Sequence, residues 1–436
     1  MTLMDTPITR HSPPSHRRKI FLGTVIVFGC LAVAAVLVVA NLEADPRISI
    51  PTPVLPSPNA YDDYARATAL IKDPDKIDDW AKQNAGKTTL TPTEAQQQIL
   101  RDNALALAAF QEGLAHSYLT PPIRSFKTEY SGLALDRRFA RLLLLDARMQ
   151  AAQGDWGASA RISLDGLKLG SDLPRGAPML PLLVGIAVNA ISRRPLRTAI
   201  GHLSLPETRA ALARLQAIDA NSTPLAQTFR EEKWTGQAGL METYRQKNWR
   251  TQFFTLAGGG DEGEQKPPLA ARMSAYLTSK RRIMDDYTYY MDSIVADVDA
   301  RRPIGPLSPA HSDLYLEILA PVFSSVDIKY NQDRTQNAFL EVELALRAYQ
   351  LQHHAYPESL AALTPTLIPN VPADPFAPTH SLNYRKEGAS YRLYSVGPDG
   401  VDDGGKAIED PTRSDEHFRH IVQADSKGDI VAGVNL

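Results

Sequence analysis

Few side chains in this chain are spaced as chemistry requires. His417 and His420, in DEHFRH, stand three apart, which can place both imidazoles on one helical face, and Asp415 lies beside them. Such a trio could hold a metal ion; the alternative is a solvated loop or helix end. His353 and His354 are adjacent, so on a helix their rings point in different directions and do not form a joint ligand pair. Asp62, Asp63, Asp78 and Asp79 are paired acids on expected helix surfaces, where they read as solvating charges. The chain carries no GxSxG elbow, HExxH helix or phosphate-binding loop. Its single cysteine, Cys30, excludes an intramolecular disulfide and any CxxC metal or redox site. Catalysis would have to rest on residues that only the fold brings together.

The elements that must position these side chains begin with an apolar run. Ile20–Ala40 contains no charge, and at about 1.5 Å per residue it is long enough for a hydrocarbon core of about 30 Å. A transmembrane anchor is therefore expected over 20–41. Arg17, Arg18 and Lys19 precede it, and Glu43 and Asp45 follow it. That asymmetry places the tail, 1–19, in the cytoplasm and the body outside the inner membrane of a bacterial cell. A cleaved signal peptide is the rival reading, but its apolar core would be shorter, about 7–15 residues. Cys30 sits in mid-run and reads as a small membrane-buried residue. The proline-rich stretch 42–60 reads as an extended linker.

With 436 residues, 22% of them charged and a formal net charge of −2, the body can hold large cores, and no global field draws it to nucleic acid. The pattern from Tyr61 onward is helical, and 61–254 is expected to form a helical domain. Thr91, Pro92 and Glu94 read as a capping box opening a long helix through the segment to Leu119. Leu135, Phe139, Leu142 and Met149 share one helical face. Gly154 and Asp155 make a turn, and Trp156 opens a second helix carrying Ile162, Leu164, Leu167 and Leu169. This hairpin resembles one tetratricopeptide unit, without a second copy at the period of about 34 residues. Met179–Ile191 is too short to span a bilayer and reads as a buried core helix. A second helix start is marked by Pro206 and Glu207. The Gly-rich stretch 255–268 reads as a flexible linker. A helical connector, 269–327, then carries an apolar and aromatic stripe, Tyr276, Ile283, Tyr287, Tyr290, Ile294 and Val298, read as a packing face.

From residue 328 the pattern becomes α+β: a long helix through His353, a short one after Tyr356-Pro357, and strands in SLNYRK, SYRLYSV and GDIVAGV. The first two strands are separated by Glu387-Gly388. Three pieces of this quarter, ALRAYQLQHHAYPESLAAL (345–363), VPADPF (371–376) and YRLYSVGPDGVDDGG (391–405), resemble in this order the globular domain of the major pseudopilin of bacterial type II secretion. That resemblance implies a long helix packed on a small antiparallel sheet, with a calcium ion held in the loop after the Tyr-Ser strand. Carried over position by position, it assigns Asp399, Asp402, Asp403 and Asp429 as metal ligands. Calcium takes about 6–8 oxygen ligands, which carboxylates and a glycine-rich backbone can supply. At the N-terminus the chain departs from the family. Gly23 is followed by Thr24-Val25-Ile26-Val27-Phe28, without the Phe-Thr-Leu and Glu of a prepilin-peptidase site.

The expectation is a mainly α protein: one N-terminal transmembrane helix, an extracytoplasmic helical domain, and a pseudopilin-like α+β module over 328–436. The expected role is a membrane-anchored envelope protein of structural or interaction type, with a protein partner and no nucleic acid. Two alternatives stand beside it: an exported hydrolase or ligand-binding protein with its site in the helical domain, and a component associated with a secretion pseudopilus.

Overall fold

The computed structural model describes residues 16–85, 87, 91–128, 131–251, 277–302, 304, 320–413 and 419–435. It is mainly helical with a small antiparallel sheet. Its contacts divide the chain into two units, Met1–Ile48 with Thr243–Asp286, and Ser49–Glu242 with Tyr287–Leu436. The tail 1–15, the expected linker 255–268 and Tyr276 lie outside the described residues.

In the first unit, α1 (His16–Glu43) contains the apolar run. Its side chains are described from Val27 onward, and over the described residues no helix is long and apolar enough to cross a membrane. The end of α1 is held by charge. Glu43 accepts hydrogen bonds from the Arg250 guanidinium and from Trp249 Nε1 at 3.1 Å, and Lys280 Nζ reaches Asp45 at 3.1 Å. These contacts hold the Glu43 carboxyl below its ordinary range, against the opposing effect of burial.

The second unit opens with α2 (Ala60–Ala69), α3 (Pro74–Gln83), α4 (Glu94–Asp102) and α5 (Ala104–Gly113). The capping box lies two residues beyond the expected place. Thr93 is the cap: its Oγ1 accepts from Gln96 N at 3.3 Å, while Gln96 Oε1 accepts from Thr93 N at 2.9 Å. The expected single long helix is broken at Asn103, whose side chain accepts from Lys72 N at 2.8 Å and donates to Ile99 O at 2.9 Å.

The expected hairpin forms as α6 (Ser131–Ala152) and α7 (Trp156–Asp172), with Gly154 in the left-handed region at φ +86 and Asp155 accepting from Ala158 N at 2.8 Å. Phe139, Leu142, Met149, Leu164, Leu167 and Leu169 are all buried. The buried run at Met179 extends further than its apolar stretch, as α8 (Met179–Ile200), with Pro195 inside it. α7 and α8 approach through glycine. A Cβ on Gly185 would lie 2.4 Å from the Gly170 carbonyl oxygen, so only hydrogen fits there.

Next come α9 (Leu205–Ala220), α10 (Leu225–Tyr244), α11 (Lys280–Asp299) and α12 (Ala320–His353). Ser204 caps α9, with Glu207 accepting from its backbone N at 2.9 Å. Along α11 the expected stripe is buried at Ile283, Tyr287, Tyr290 and Ile294, as a packing face should be. After α12 come a short 3-10 helix, Leu360–Leu363, and five strands: β1 (Ala373–Asp374), β2 (Ala377–Ser381), β3 (Asn383–Glu387), β4 (Ser390–Ser395) and β5 (Ile430–Val431). β1 pairs with β2, and β3, β4 and β5 form a second antiparallel sheet in that order. Gly388, at φ +64, turns β3 into β4.

One hydrophobic cluster runs through the expected helical domain and the C-terminal module. It contains Leu164 and Leu167 of α7, Leu196 of α8, Leu212 and Leu215 of α9, Phe339 and Leu346 of α12, and Leu393 and Ile430 of the sheet. A polar network crosses the same junction. Arg193 of α8 donates to Asp333 Oδ1 at 2.6 Å and to Asn337 Oδ1 at 2.7 Å on α12. Asn337 Nδ2 and Arg334 Nη1 donate to Asp219 Oδ1 of α9, at 3.1 and 3.0 Å.

Because the obstacle at Gly185 is backbone and not a movable side chain, Gly185→Ala must separate α7 from α8. The substitution is expected to cost about 1–3 kcal/mol in urea unfolding of the full chain. A change below about 0.5 kcal/mol, the range of an ordinary surface substitution, would show that the two helices are not in this contact.

Candidate functional site

Among the described residues, those singled out for chemistry do not assemble as one group. His417 and Asp415 lie outside the described residues. His420 uses its Nδ1 on the Ile408 carbonyl, 2.9 Å away, inside the C-terminal module. His353 packs on the ring of Tyr349 with centroids 4.1 Å apart, and His354 ends α12 at φ +58. Of the paired acids, Asp62 and Asp79 are exposed as expected. Their neighbours are not merely solvating charges. Asp63 is buried against His116 Nδ1 at 2.6 Å and Arg66 at 2.9 Å, and Asp78 holds Arg138 at 2.9 Å together with Arg141. Each ties two helical segments together, a role their sequence spacing cannot reveal.

The four acids assigned to calcium stand in or beside one loop but serve separate ends. Asp429 is fully buried, and its carboxylate accepts from Asp403 N at 3.3 Å and Gly405 N at 2.7 Å. Burial raises its carboxyl above the ordinary range, the two N–H groups oppose that, and the nearby Asp402 and Asp403 charges add to it. Asp402 Oδ1 accepts from Gly404 N at 2.9 Å. Asp399 accepts from Val401 N at 3.2 Å, with Lys427 Nζ 3.9 Å away. As placed, these carboxylates hold backbone N–H groups and do not converge as an oxygen cage. Among the described residues, no group of three or more His, Cys, Asp or Glu is placed to hold a metal ion. The arrangement closes the loop through side-chain-to-backbone hydrogen bonds. It makes Asp429 the clamp of the loop, as Asp374 clamps the end of β4 by accepting from Ser395 Oγ at 2.7 Å and Val396 N at 2.9 Å.

A different place has the geometry of a binding site. A cavity of about 180 Å³ opens in the second unit, lined by Tyr61, Tyr64 and Thr68 of α2, Tyr118 and Thr120, and Asp136 of α6. Its walls are fixed by Asn59, the N-cap of α2. Asn59 Oδ1 accepts from Tyr61 N at 3.1 Å and from Leu119 N at 3.0 Å, while its Nδ2 donates to Leu119 O at 2.8 Å. This side chain holds the segment bearing Tyr118 beside the helix bearing Tyr61 and Tyr64. The Tyr64 and Tyr118 rings stack 5.6 Å apart, and Tyr64 donates to Asp172 Oδ2 of α7 at 3.1 Å. Burial, followed by the charge of Asp172, raises the Tyr64 hydroxyl well above its ordinary value.

Asp136 is the distinctive group in this cavity. Half-buried in the cavity wall, it has neither a hydrogen bond nor an ion pair among the described residues, and burial pushes its carboxyl up to about 7. Cations on the facing segment are already engaged: Arg124 pairs with Glu231 and Lys127 with Glu242, each at 3.1 Å. Nothing in the sequence marks Asp136, which reads as one more polar position on α6. Only its lack of a partner sets it apart, and that is a property of the fold.

Neither a family model, a curated protein nor a solved structure matches the chain.

Two outcomes are expected here. An unfolded Asp titrates at about 3.9, so the folded state retains the Asp136 proton between about 4 and about 7. Stability must then fall as pH rises through that window and level off above it. Asp136→Asn should be more stable than wild type by about 1–3 kcal/mol near pH 8, with the difference closing towards pH 4, in urea unfolding. Identical pH profiles for the two proteins would place the carboxyl in water. At the other site, Asp429→Ala should cost about 1–3 kcal/mol by leaving buried N–H groups unanswered. That cost should be the same in chelator and in added calcium; a loss seen only with calcium would make Asp429 a metal ligand.

Proposed function

We propose that this chain is a single-pass, membrane-anchored bacterial envelope protein of binding and interaction type, with its folded body outside the cytoplasm. The observation that carries this reading is the surface of α1. Phe28, Leu31, Val33, Val36, Leu37 and Val38 are all exposed, each at 58% or more. At about 100° per residue they fall on every side of the helix. A helix that is apolar all round and uncovered has no favourable state in water, whereas hydrocarbon suits every face. Arg17, Arg18 and Lys19 on one side of the run, and Glu43 and Asp45 on the other, give the orientation.

For the body, a binding role rests on how its acids are used. Asp63, Asp78, Asp333, Asp374 and Asp429 each hold helices, strands or loops together, and the free carboxylate in the cavity stands alone. That arrangement favours recognition, since the one unpartnered carboxylate faces a cavity and the other acids are used in structure. A long helix sharing its core with a small antiparallel sheet supports the pseudopilin likeness of the C-terminal quarter. We read that module as serving interaction, since Gly23 is not followed by the Phe-Thr-Leu and Glu of a prepilin-peptidase site.

The test is membrane extraction. The full chain, expressed in a bacterium, is expected to stay in the membrane pellet through alkaline carbonate and to be released by detergent. A variant lacking residues 20–40 should appear in the soluble fraction. Recovery of the intact chain in the carbonate supernatant would overturn the anchor.

A further inference from the structure

We propose that the cavity between α2, the Tyr118–Thr128 segment and α6 is a binding site for a small organic cation of the ammonium class, with Asp136 as its counter-ion. This does not depend on how the chain is anchored.

Four observations lead to it. The first is shape. The cavity holds about 180 Å³, and since a water's share of liquid volume is about 30 Å³, it has room for about six waters or one compact organic molecule. The second is its lining. Three tyrosines, Tyr61, Tyr64 and Tyr118, stand together, with Tyr61 and Tyr118 centroids 6.1 Å apart and Tyr64 and Tyr118 centroids 5.6 Å apart. Aromatic rings attract an ammonium group through their quadrupole, by about 0.5–2 kcal/mol each according to exposure.

The third observation is the sign of the field. Asp136 and Asp172 both act on the Tyr118 hydroxyl, and Asp172 and Asp165 both act on that of Tyr64; in each case they add to the larger effect of burial. Asp172 is balanced by Lys168, and Asp165 by Arg214. Asp136 is balanced by nothing among the described residues. An anion would therefore meet repulsion here, and a neutral guest would leave the carboxylate without a countercharge.

The fourth is the fate of the nearby cations. Arg124 and Lys127 are held by Glu231 and Glu242, so closing a salt bridge to Asp136 from within would break another. An isolated buried carboxylate is costly unless it is paired or neutralised. Below about pH 7 a proton neutralises it in the free protein, and a bound ammonium would do the same at higher pH while using the rings. The groups facing Asp136 are Tyr61 and Tyr64 of α2, Tyr118, Thr120 and Thr128 of the segment, and Asp172 through Tyr64. The bound cation must compete with the proton that burial holds on Asp136.

The experiment is calorimetric titration of the full chain in non-ionic detergent with choline, n-butylammonium and 3,3-dimethylbutan-1-ol, the last being the neutral carbon isostere of choline. At least one of the two ammonium compounds is expected to bind, at least tenfold more tightly than the neutral isostere. Its affinity should weaken severalfold between pH 8 and pH 6. Asp136→Asn should abolish the preference for charge while keeping the wild-type circular dichroism spectrum. If that variant fails to fold, Tyr61→Leu, at the partly exposed edge of the cavity, should weaken binding of the cation more than of the isostere. No binding of either cation at millimolar concentration would overturn the proposal. So would equal binding of the isostere, or unchanged binding by Asp136→Asn.

Discussion

A guanidinium buried among helices must be answered by oxygen, and that requirement shapes this protein. Arg193 lies in α8, and every oxygen that answers it belongs to α12, 140 or more residues further along the chain. Removing one partner from such a pair typically costs about 3–5 kcal/mol, because the other charge stays buried and unpaired. The pair therefore fixes a register: α12 cannot slide or turn against α8 without stranding Arg193 or Asp333. Asn337 extends the restraint to Asp219 of α9, where Arg334 also binds. Apolar packing around the network is general in its demands, whereas the network accepts one alignment.

Two consequences follow for the rest of the body. The sheet is carried by α12, so it inherits that alignment: Leu393 and Ile430 pack into the cluster that holds Leu164, Leu196 and Leu215. Gln336, one helical position before Asn337, donates to the Asn435 carbonyl at 2.5 Å and ties the last described strand region to the same helix. On the other side, α8 meets α7 through glycine backbones, and α7 supplies Asp172 to Tyr64 behind the cavity. A cavity whose walls are fixed in this way is organised before any ligand arrives, which lowers the entropy cost of binding.

Local grammar was legible in the sequence and tertiary pairing was not. Gly154 and Asp155 announce the α6–α7 turn because a left-handed residue and a capping carboxylate act within four positions. The strands around Glu387-Gly388 are readable for the same reason. Thr91 and Thr93 each have a residue three positions on that can return the hydrogen bond, Glu94 and Gln96, so spacing does not choose between them; in the structure the pair is Thr93 with Gln96. Asp63 and Asp78 look like ordinary surface acids until His116, Arg138 and Arg141 arrive from segments 53 or more residues away. Asp429 resembles a metal ligand by position, yet its oxygens meet N–H groups 24 and 26 residues upstream. Asp136 is the extreme case, since what distinguishes it is that no partner comes from among the described residues.

α8, α12 and the sheet form one cooperative body, with the C-terminal quarter built into the helical domain and not hung from it. Hydrogen exchange of the full chain, followed peptide by peptide in rising urea, tests this most directly. Amides of α8, of α12 and of Leu393–Val396 in and after β4 should converge on a single opening free energy and a single urea dependence. Exchange of the strand amides through a separate, lower-energy opening, with α8 still protected, would contradict it.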